Sequence, residues 1–223
     1  MKKHTSFSFL FLLILVLVNE KTFSQDSSEE FIKLIFQGNT EEVKNKISEG
    51  VDVNLIYKDR LTPLIAASSG EHVEIVKLLV EGGANVNIKT QKGGTALNSA
   101  AIIGNKEICE LLLQKGADIE SKNNEGKTPL MNAVYNKHND LVVYLISKGV
   151  DVNAKESNGW SALMFATMHG NTECINILLK AGADVNTKTN DGETALQRAQ
   201  TIQESGLKDM SETIKILKDA GAK

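Results

Sequence analysis

A spacing of 33 residues between two short patterns constrains the fold of this 223-residue chain more than any other feature. The first pattern is a hydroxyl residue, then Pro or Ala, then Leu, and its copies begin at Thr62, Thr95, Thr128, Ser161 and Thr194. The second pattern is a Gly followed by Val or Ala and by Asp or Asn, with copies at Gly50, Gly83, Gly116, Gly149 and Gly182. A fixed period of this length predicts a repeat protein, in which each unit buries its apolar face against the next.

Each unit carries the signals of two short helices. The hydroxyl of Thr95 can cap a helix start, and the Pro that follows the hydroxyl residue in two copies suits a first helical turn. Gly116 is typical of a left-handed helix end. Apolar residues at helical spacing lie between these two signals: Leu97, Ala100, Ala101, Ile108, Cys109, Leu111 and Leu112. Neither helix can bury its stripe alone, so neighbouring units must stack.

These patterns resemble the ankyrin repeat family over about residues 28–223. The resemblance implies an all-α repeat solenoid of about six repeats including caps, each with a helix-turn-helix and a hairpin finger. We predict an N-terminal cap over 25–58, repeats over 59–91, 92–124, 125–157 and 158–190, and a C-terminal repeat or cap over 191–223. Six extra residues around 200–210 predict a longer first helix or loop in the last unit.

Two departures from the family pattern affect the predicted stability. The family has His after Thr-Pro-Leu, whereas this chain has Ile65, Asn98, Met131, Met164 and Gln197. Any hydrogen bond made by that His is therefore expected to be absent. The turn Gly of the other fingers is replaced by Arg60 in the first one, and a non-Gly residue with positive φ costs about 1 kcal/mol. We expect that finger to be distorted or mobile.

The N-terminus predicts export. A basic start precedes an apolar run over 7–18, which is shorter than the roughly 20 residues that a membrane-spanning helix needs. Thr22 and Ser24 suit a signal-peptide cleavage site before Gln25, so residues 1–24 are predicted to be a signal peptide. We expect a periplasmic protein, with secretion as the alternative. An uncleaved membrane anchor is the other interpretation of the same segment.

Composition and motifs argue against catalysis. The net charge is −3, which gives no electrostatic argument for nucleic-acid binding. The four His residues form no metal-binding pair, and no nucleophile or phosphate-binding motif is present, so we predict no cofactor, no metal and no enzyme activity. Cys109 and Cys174 lie two repeats apart, on the order of 20 Å if stacked helices are 8–10 Å apart. A disulfide between them is excluded in such a stack.

The resemblance implies a protein partner, bound on a concave surface of finger tips and first helices, and we predict a monomer. The exposed positions of that surface are Leu61, Lys127 and Trp160 on the fingers and Ile102, Ile103, Tyr135, Met168 and His169 on the helices. Trp and Tyr are typical of binding hot spots. The alternative for Ile102, Ile103 and Met168 is packing between repeats.

A lysine row also has the 33-residue period, at Lys89, Lys122, Lys155 and Lys188. It could face an acidic partner, but solvated finger charges spread along the solenoid are the stronger explanation. The sequence therefore predicts a non-catalytic interaction scaffold outside the cytoplasm. The alternatives are a protective or inhibitory subunit of one exported enzyme or toxin, and a membrane-tethered adaptor.

Overall fold

Twelve helices make up the part of the chain that the computed structural model describes, residues 27–223. The predicted signal peptide lies outside these residues. The helices are α1 (27–36), α2 (Thr40–Ser48), α3 (Pro63–Ser69), α4 (Val73–Glu81), α5 (Ala96–Ile103), α6 (Lys106–Gln114), α7 (Pro129–Tyr135), α8 (Asn139–Ser147), α9 (Ala162–Met168), α10 (Thr172–Lys180), α11 (Ala195–Glu204) and α12 (Ser211–Asp219). A short 3-10 turn, Lys58–Arg60, precedes α3. The predicted all-α repeat solenoid is confirmed.

The helices form two layers. The first helices of successive units, α3, α5, α7, α9 and α11, pack against one another, and so do the second helices from α2 to α12. Alanines in the first helices have no exposed surface: Ala66, Ala67, Ala100, Ala101, Ala133, Ala166 and Ala199. Their small side chains let neighbouring helices approach closely. Ile, Leu and Val from both layers fill the space between them.

The hydroxyl residues start the first helices as the sequence predicts. The side chains of Thr62, Thr95, Thr128 and Thr194 each accept a hydrogen bond from the backbone N–H three residues on. Ser161 makes no such bond, and its buried hydroxyl has no partner among the described residues. The helix that it precedes, α9 of the fourth repeat, therefore has a weaker start.

Five hairpin fingers connect the units, at 56–62, 89–95, 122–128, 155–161 and 188–194. Each is closed by an equivalent backbone bond, from Tyr57 N to Leu61 O in the first finger and from Glu156 N to Trp160 O in the fourth. Further backbone bonds join neighbouring fingers, for example Asn124 N to Lys92 O and Ser157 N to Glu125 O. The fingers and first helices form one side of the solenoid, called the finger face below.

The lysine row has a structural role. The Nζ atoms of Lys89, Lys122 and Lys155 each donate to the backbone carbonyl of the next lysine in the row, at 3.0, 3.1 and 2.9 Å. The first finger has Ile56 at this position, and the Nε of Arg60 donates to Lys89 O instead, at 3.2 Å. Arg60 has φ 58°, in the same left-handed region as the turn Gly of the other fingers, and the preceding Asp59 also has a positive φ, 56°. The first finger therefore differs from the others in its turn. The Arg60 side chain supplies the bond that Ile56 cannot make.

At two of the five positions where the family has His, a polar side chain makes hydrogen bonds in its place. Asn98 donates from Nδ2 to Ser121 O in the next finger at 3.2 Å, and it forms a capping box with Thr95. Gln197 forms the same capping box with Thr194. At the other positions the side chain is apolar and buried: Ile65, Met131 and Met164.

The extra residues of the last unit lengthen α11 and add a loop before α12. Met210 is 1% exposed and anchors the end of this loop in the core. The Nζ of Lys208 donates to the backbone carbonyl of His169 in the preceding unit. The insertion is therefore attached to the fourth repeat as well as to its own. Within residues 27–223, no helix combines the length and the hydropathy that crossing a bilayer requires.

Candidate functional site

An open groove of about 500 Å³ lies on the finger face between the third and fourth fingers. Its apolar walls are formed by Tyr135, Trp160, Phe165 and Met168. The rim is polar and consists of Asn124, Glu125, Lys127, Glu156, Ser157 and Asn158. An apolar centre with a polar rim is the usual anatomy of a protein-binding patch. We call this feature the aromatic groove.

The repeat geometry places the groove residues. Tyr135 and Met168 are the last residues of α7 and α9, at equivalent positions of neighbouring repeats. Trp160 directly precedes Ser161, the cap of α9. Phe165 lies one helical turn into α9, where the other repeats have Ala66, Ser99, Asn132 and Arg198. The aromatic residue at this position gives the fourth repeat a feature that the others lack.

The rings contact one another in geometries that aromatic pairs prefer. The ring centroids of Trp160 and Phe165 are 5.3 Å apart at 32°. Tyr135 meets Phe165 edge-on at 5.9 Å and His169 at 5.0 Å. Phe165 is 7% exposed, whereas Tyr135 is 44% exposed. Phe165 thus forms the floor on which two more accessible rings are held.

Two cations border the rings. The Nζ of Lys127 lies 5.5 Å from the Tyr135 centroid and 5.8 Å from that of Phe165. It also pairs with Glu125 at 2.8 Å, and this bond lowers the pKa of that carboxyl. The guanidinium of Arg198 lies 5.0 Å from the Trp160 centroid and pairs with Glu193. These cation–π contacts orient the aromatic walls.

A buried carboxylate fixes the fourth finger. Glu156 is 7% exposed, and its Oε1 accepts hydrogen bonds from the backbone N–H groups of Asn158 at 2.8 Å and Trp160 at 3.0 Å. In the second, third and fifth fingers, Thr90, Asn123 and Thr189 accept the equivalent hydrogen bond from the backbone N–H four residues on. Glu156 thus performs the finger-closing role found in the second to fifth fingers, and it holds the backbone of Trp160 at the groove.

The structure brings part of the predicted surface together. Trp160, Tyr135, Met168 and Lys127 line the aromatic groove, and His169 contacts the Tyr135 ring. Phe165 is a groove residue that the sequence prediction omitted. The signal that could have identified it is the change from small or polar residues to Phe at one repeat position. Met168 also packs against the core, which agrees with the packing alternative, and its contact with a partner stays a prediction.

Besides His169, three predicted residues do not line the groove. Ile102 and Ile103 belong to the preceding repeat, where they are 45% and 36% exposed at the end of α5. Leu61 lines a separate groove of about 610 Å³ between the first and second fingers. Ile102 occupies the position equivalent to Tyr135, so it extends the apolar surface along the finger face.

The histidines and cysteines have structural surroundings. The Nε2 atoms of His72 and His138 lie 3.3 and 2.9 Å from the carbonyls of Phe36 and Ile102, which joins neighbouring units. Burial raises the pKa of Cys109 and of Cys174 to about 12. Such thiols are protonated and unreactive at neutral pH.

Of the histidines within residues 27–223, His169 alone lies beside the groove. Burial, together with nearby Lys137 and Lys208, lowers the pKa of its imidazole. Its buried Nε2 has no partner among the described residues. Within residues 27–223, no group of three or more His, Cys, Asp and Glu side chains is arranged to hold a metal ion.

Stacked helix pairs, hydrogen-bonded fingers and a groove on the finger face define a repeat solenoid built to present a surface. The sequence matches the family described as ankyrin repeats (3 copies) over residues 31–123, 88–156 and 130–223. The chain belongs to the ankyrin repeat family. It is similar to the crystal structure of the human ASB11 ankyrin repeat domain, at 28% identity and a TM-score of 0.76, covering 86% of this chain and 84% of that one. No curated protein matches it.

Proposed function

We propose that this protein is a monomeric, non-catalytic scaffold that binds a protein partner on its finger face outside the cytoplasm. Ankyrin repeats are protein–protein interaction modules, and this supports the general role. The aromatic groove is the single observation that carries the site. A half-exposed Tyr beside a Trp, on a rigid floor and with a polar rim, matches the composition and arrangement of binding hot spots.

The location outside the cytoplasm rests on the N-terminal sequence. Lys2 and Lys3 precede the apolar run over 7–18, and this order is typical of a signal peptide. We propose the periplasm as the compartment. Sequencing the N-terminus of the native protein tests this part, because cleavage predicts a start near Gln25. A start at Met1 would favour the membrane-tethered adaptor.

Capture from the native exported fraction tests the binding site. Immobilised residues 25–223 are compared with a Trp160→Ala, Tyr135→Ala double variant. Tyr144→Ala is the matched control, because Tyr144 lies on α8 in the second-helix layer. We expect the double variant to lose the partner, because its binding free energy should fall by more than about 1 kcal/mol. The control should keep the partner.

The other outcomes assign the site elsewhere or change the interpretation. Equal retention by all baits would move the site away from the groove. Loss by both variants, with a reduced helical circular dichroism signal, would indicate unfolding. If the captured partner is an enzyme whose activity falls on binding, the inhibitory-subunit alternative replaces the general scaffold.

A further inference from the structure

The charges on the finger face are unevenly distributed. The first finger has Lys58 and Arg60 against Asp59, and the second has Lys89 and Lys92 with no acidic residue. The third finger has Lys122 and Lys127 against Glu125, the fourth finger is balanced, and the fifth has an excess of carboxylates. The whole chain has a net charge of −3, so the first three fingers, and the second above all, are a basic region on an acidic protein.

Most of this positive charge is not neutralised. Arg60 and Lys89 donate to backbone carbonyls, which carry no net charge. Lys92 is exposed, and within residues 27–223 none of these three cations forms an ion pair with a carboxylate. Lys58 pairs with Glu29 at 3.6 Å between two exposed side chains. An exposed pair of this kind is weak and leaves the cation available.

The basic region is continuous with the aromatic groove. Backbone hydrogen bonds link the first finger to the second (Gln91 N to Asp59 O) and the second to the third (Asn124 N to Lys92 O). Asn124 itself lies on the groove rim. Along the same face, Ile102 and Tyr135 are 45% and 44% exposed at equivalent positions. An elongated ligand can therefore reach from the groove to the basic fingers without leaving the surface.

From this charge pattern we infer that the bound partner segment is an extended acidic peptide stretch with one large apolar side chain seated in the aromatic groove. The inference rests on the proposed function and names the chemistry of its partner. Stacked repeats are about 8–10 Å apart, and an extended chain advances about 3.3 Å per residue. The groove lies about one and a half repeats from the second finger and two and a half from the first. The acidic residues should therefore lie roughly four to five and six to eight residues from the apolar anchor.

Trp160 gives a direct readout, because it is the single Trp of the chain and lines the groove. The probe is a synthetic Trp-free peptide with a Leu anchor, Glu at those spacings and Gly or Ser elsewhere, made in both chain directions. One comparison peptide replaces Glu by Lys, and a second replaces the Leu anchor by Gly. Binding to residues 25–223 is followed by Trp160 fluorescence up to about 1 mM peptide, the range of weak single-segment contacts.

We expect the Glu peptide in one direction to bind at least about tenfold more tightly than the Lys peptide at low salt, and the difference to shrink at high salt. Loss of the Leu anchor should abolish the fluorescence change. Lys92→Glu should remove most of the preference for Glu. Lys180→Glu, an exposed position in the second-helix layer, should leave it unchanged.

Several results would overturn the inference. Equal affinity for the Glu and Lys peptides would leave only an apolar groove, and tighter binding of the Lys peptide would assign the recognition to Glu125 and Glu156. Tighter binding of a single-stranded oligonucleotide than of the Glu peptide would replace a protein partner by nucleic acid. No fluorescence change with any peptide, while the capture experiment still depends on Trp160, would reject the acidic segment and keep the scaffold.

Discussion

Glu120 interrupts a row of asparagines that joins neighbouring repeats. Asn54, Asn87, Asn153 and Asn186 each donate from Nδ2 to a glycine carbonyl of the next unit, at 3.0–3.3 Å. Their Oδ1 atoms accept a hydrogen bond from a backbone N–H of that next unit, at 2.7–3.0 Å. Glu120 accepts from Asp151 N at 2.7 Å but has no donor for the carbonyl of Gly149. We therefore expect Glu120→Asn to stabilise the protein.

The magnitude follows from the missing bond. One intramolecular hydrogen bond contributes a net of about 0.5–1.5 kcal/mol to the free energy of unfolding. The lower half of that range applies here, because Glu120 is half-exposed. Removing a carboxylate beside Asp118 and Asp151 adds a few tenths of a kcal/mol. The free energy of unfolding should rise by about 1 kcal/mol, and Tm by roughly 2–4 °C for a chain of this size. Urea denaturation followed by circular dichroism and by Trp160 fluorescence measures it.

Two further variants separate geometry from charge. Glu120→Gln removes the charge but is one carbon too long, so it should give at most a few tenths of a kcal/mol. Asn87→Glu should destabilise by about the amount that Glu120→Asn gains, because it creates the same defect one repeat earlier. Unchanged stability in both Glu120→Asn and Asn87→Glu would refute the reasoning, since the amide bond would then have no net value.

Three other predictions test particular residues. Arg60→Gly relieves the strain of a positive φ, worth about 1 kcal/mol, and loses a hydrogen bond of similar value, so its stability should stay within about 0.5 kcal/mol of wild type. Arg60→Ala keeps the strain and loses the bond, so it should be about 1 kcal/mol less stable than wild type. An equal loss of stability in both variants would contradict this compensation. Cys109 and Cys174 should not react with a disulfide-exchange reagent at pH 8 until the protein is unfolded, because burial raises the pKa of each to about 12. The pKa of His169 is lowered from 6.5 in the folded protein, so the imidazole binds a proton at higher pH in the unfolded state than in the folded state. The free energy of unfolding, measured by urea denaturation, should therefore fall as the pH drops through 6.5 and below. His169→Gln should reduce this slope, and an unchanged slope would assign it to other groups.

The fold could be predicted because its signals are local and repeated. Thr62, Thr95, Thr128 and Thr194 cap their helices through bonds that span three residues, and the backbone there needs no distant partner. The apolar stripes have the helical period, so the burial of both helices in each unit also follows from the sequence. Ser161 shows the limit of this reasoning, because the same motif position carries no capping bond.

The candidate site could be predicted only in part. Trp160 stands out in the sequence because a Trp in a polar finger is not explained by core packing. Tyr135 stands out because it lies at an exposed position at the end of a first helix. Phe165 does not, because Phe at an inward helix position is expected to be core. Its role as the groove floor depends on contacts with Trp160 and Tyr135, which come from a finger and a neighbouring helix.

The sequence alone determined the repeat, its helices and the face that carries the fingers, because these follow from period, capping and hydrophobic pattern. The tertiary structure decided which side chains meet across repeats. The lysine row faces backbone carbonyls, and Arg60 replaces the bond that Ile56 cannot form. Such contacts join residues about one repeat apart, and their geometry depends on the rotation and spacing between stacked units, which no local pattern encodes.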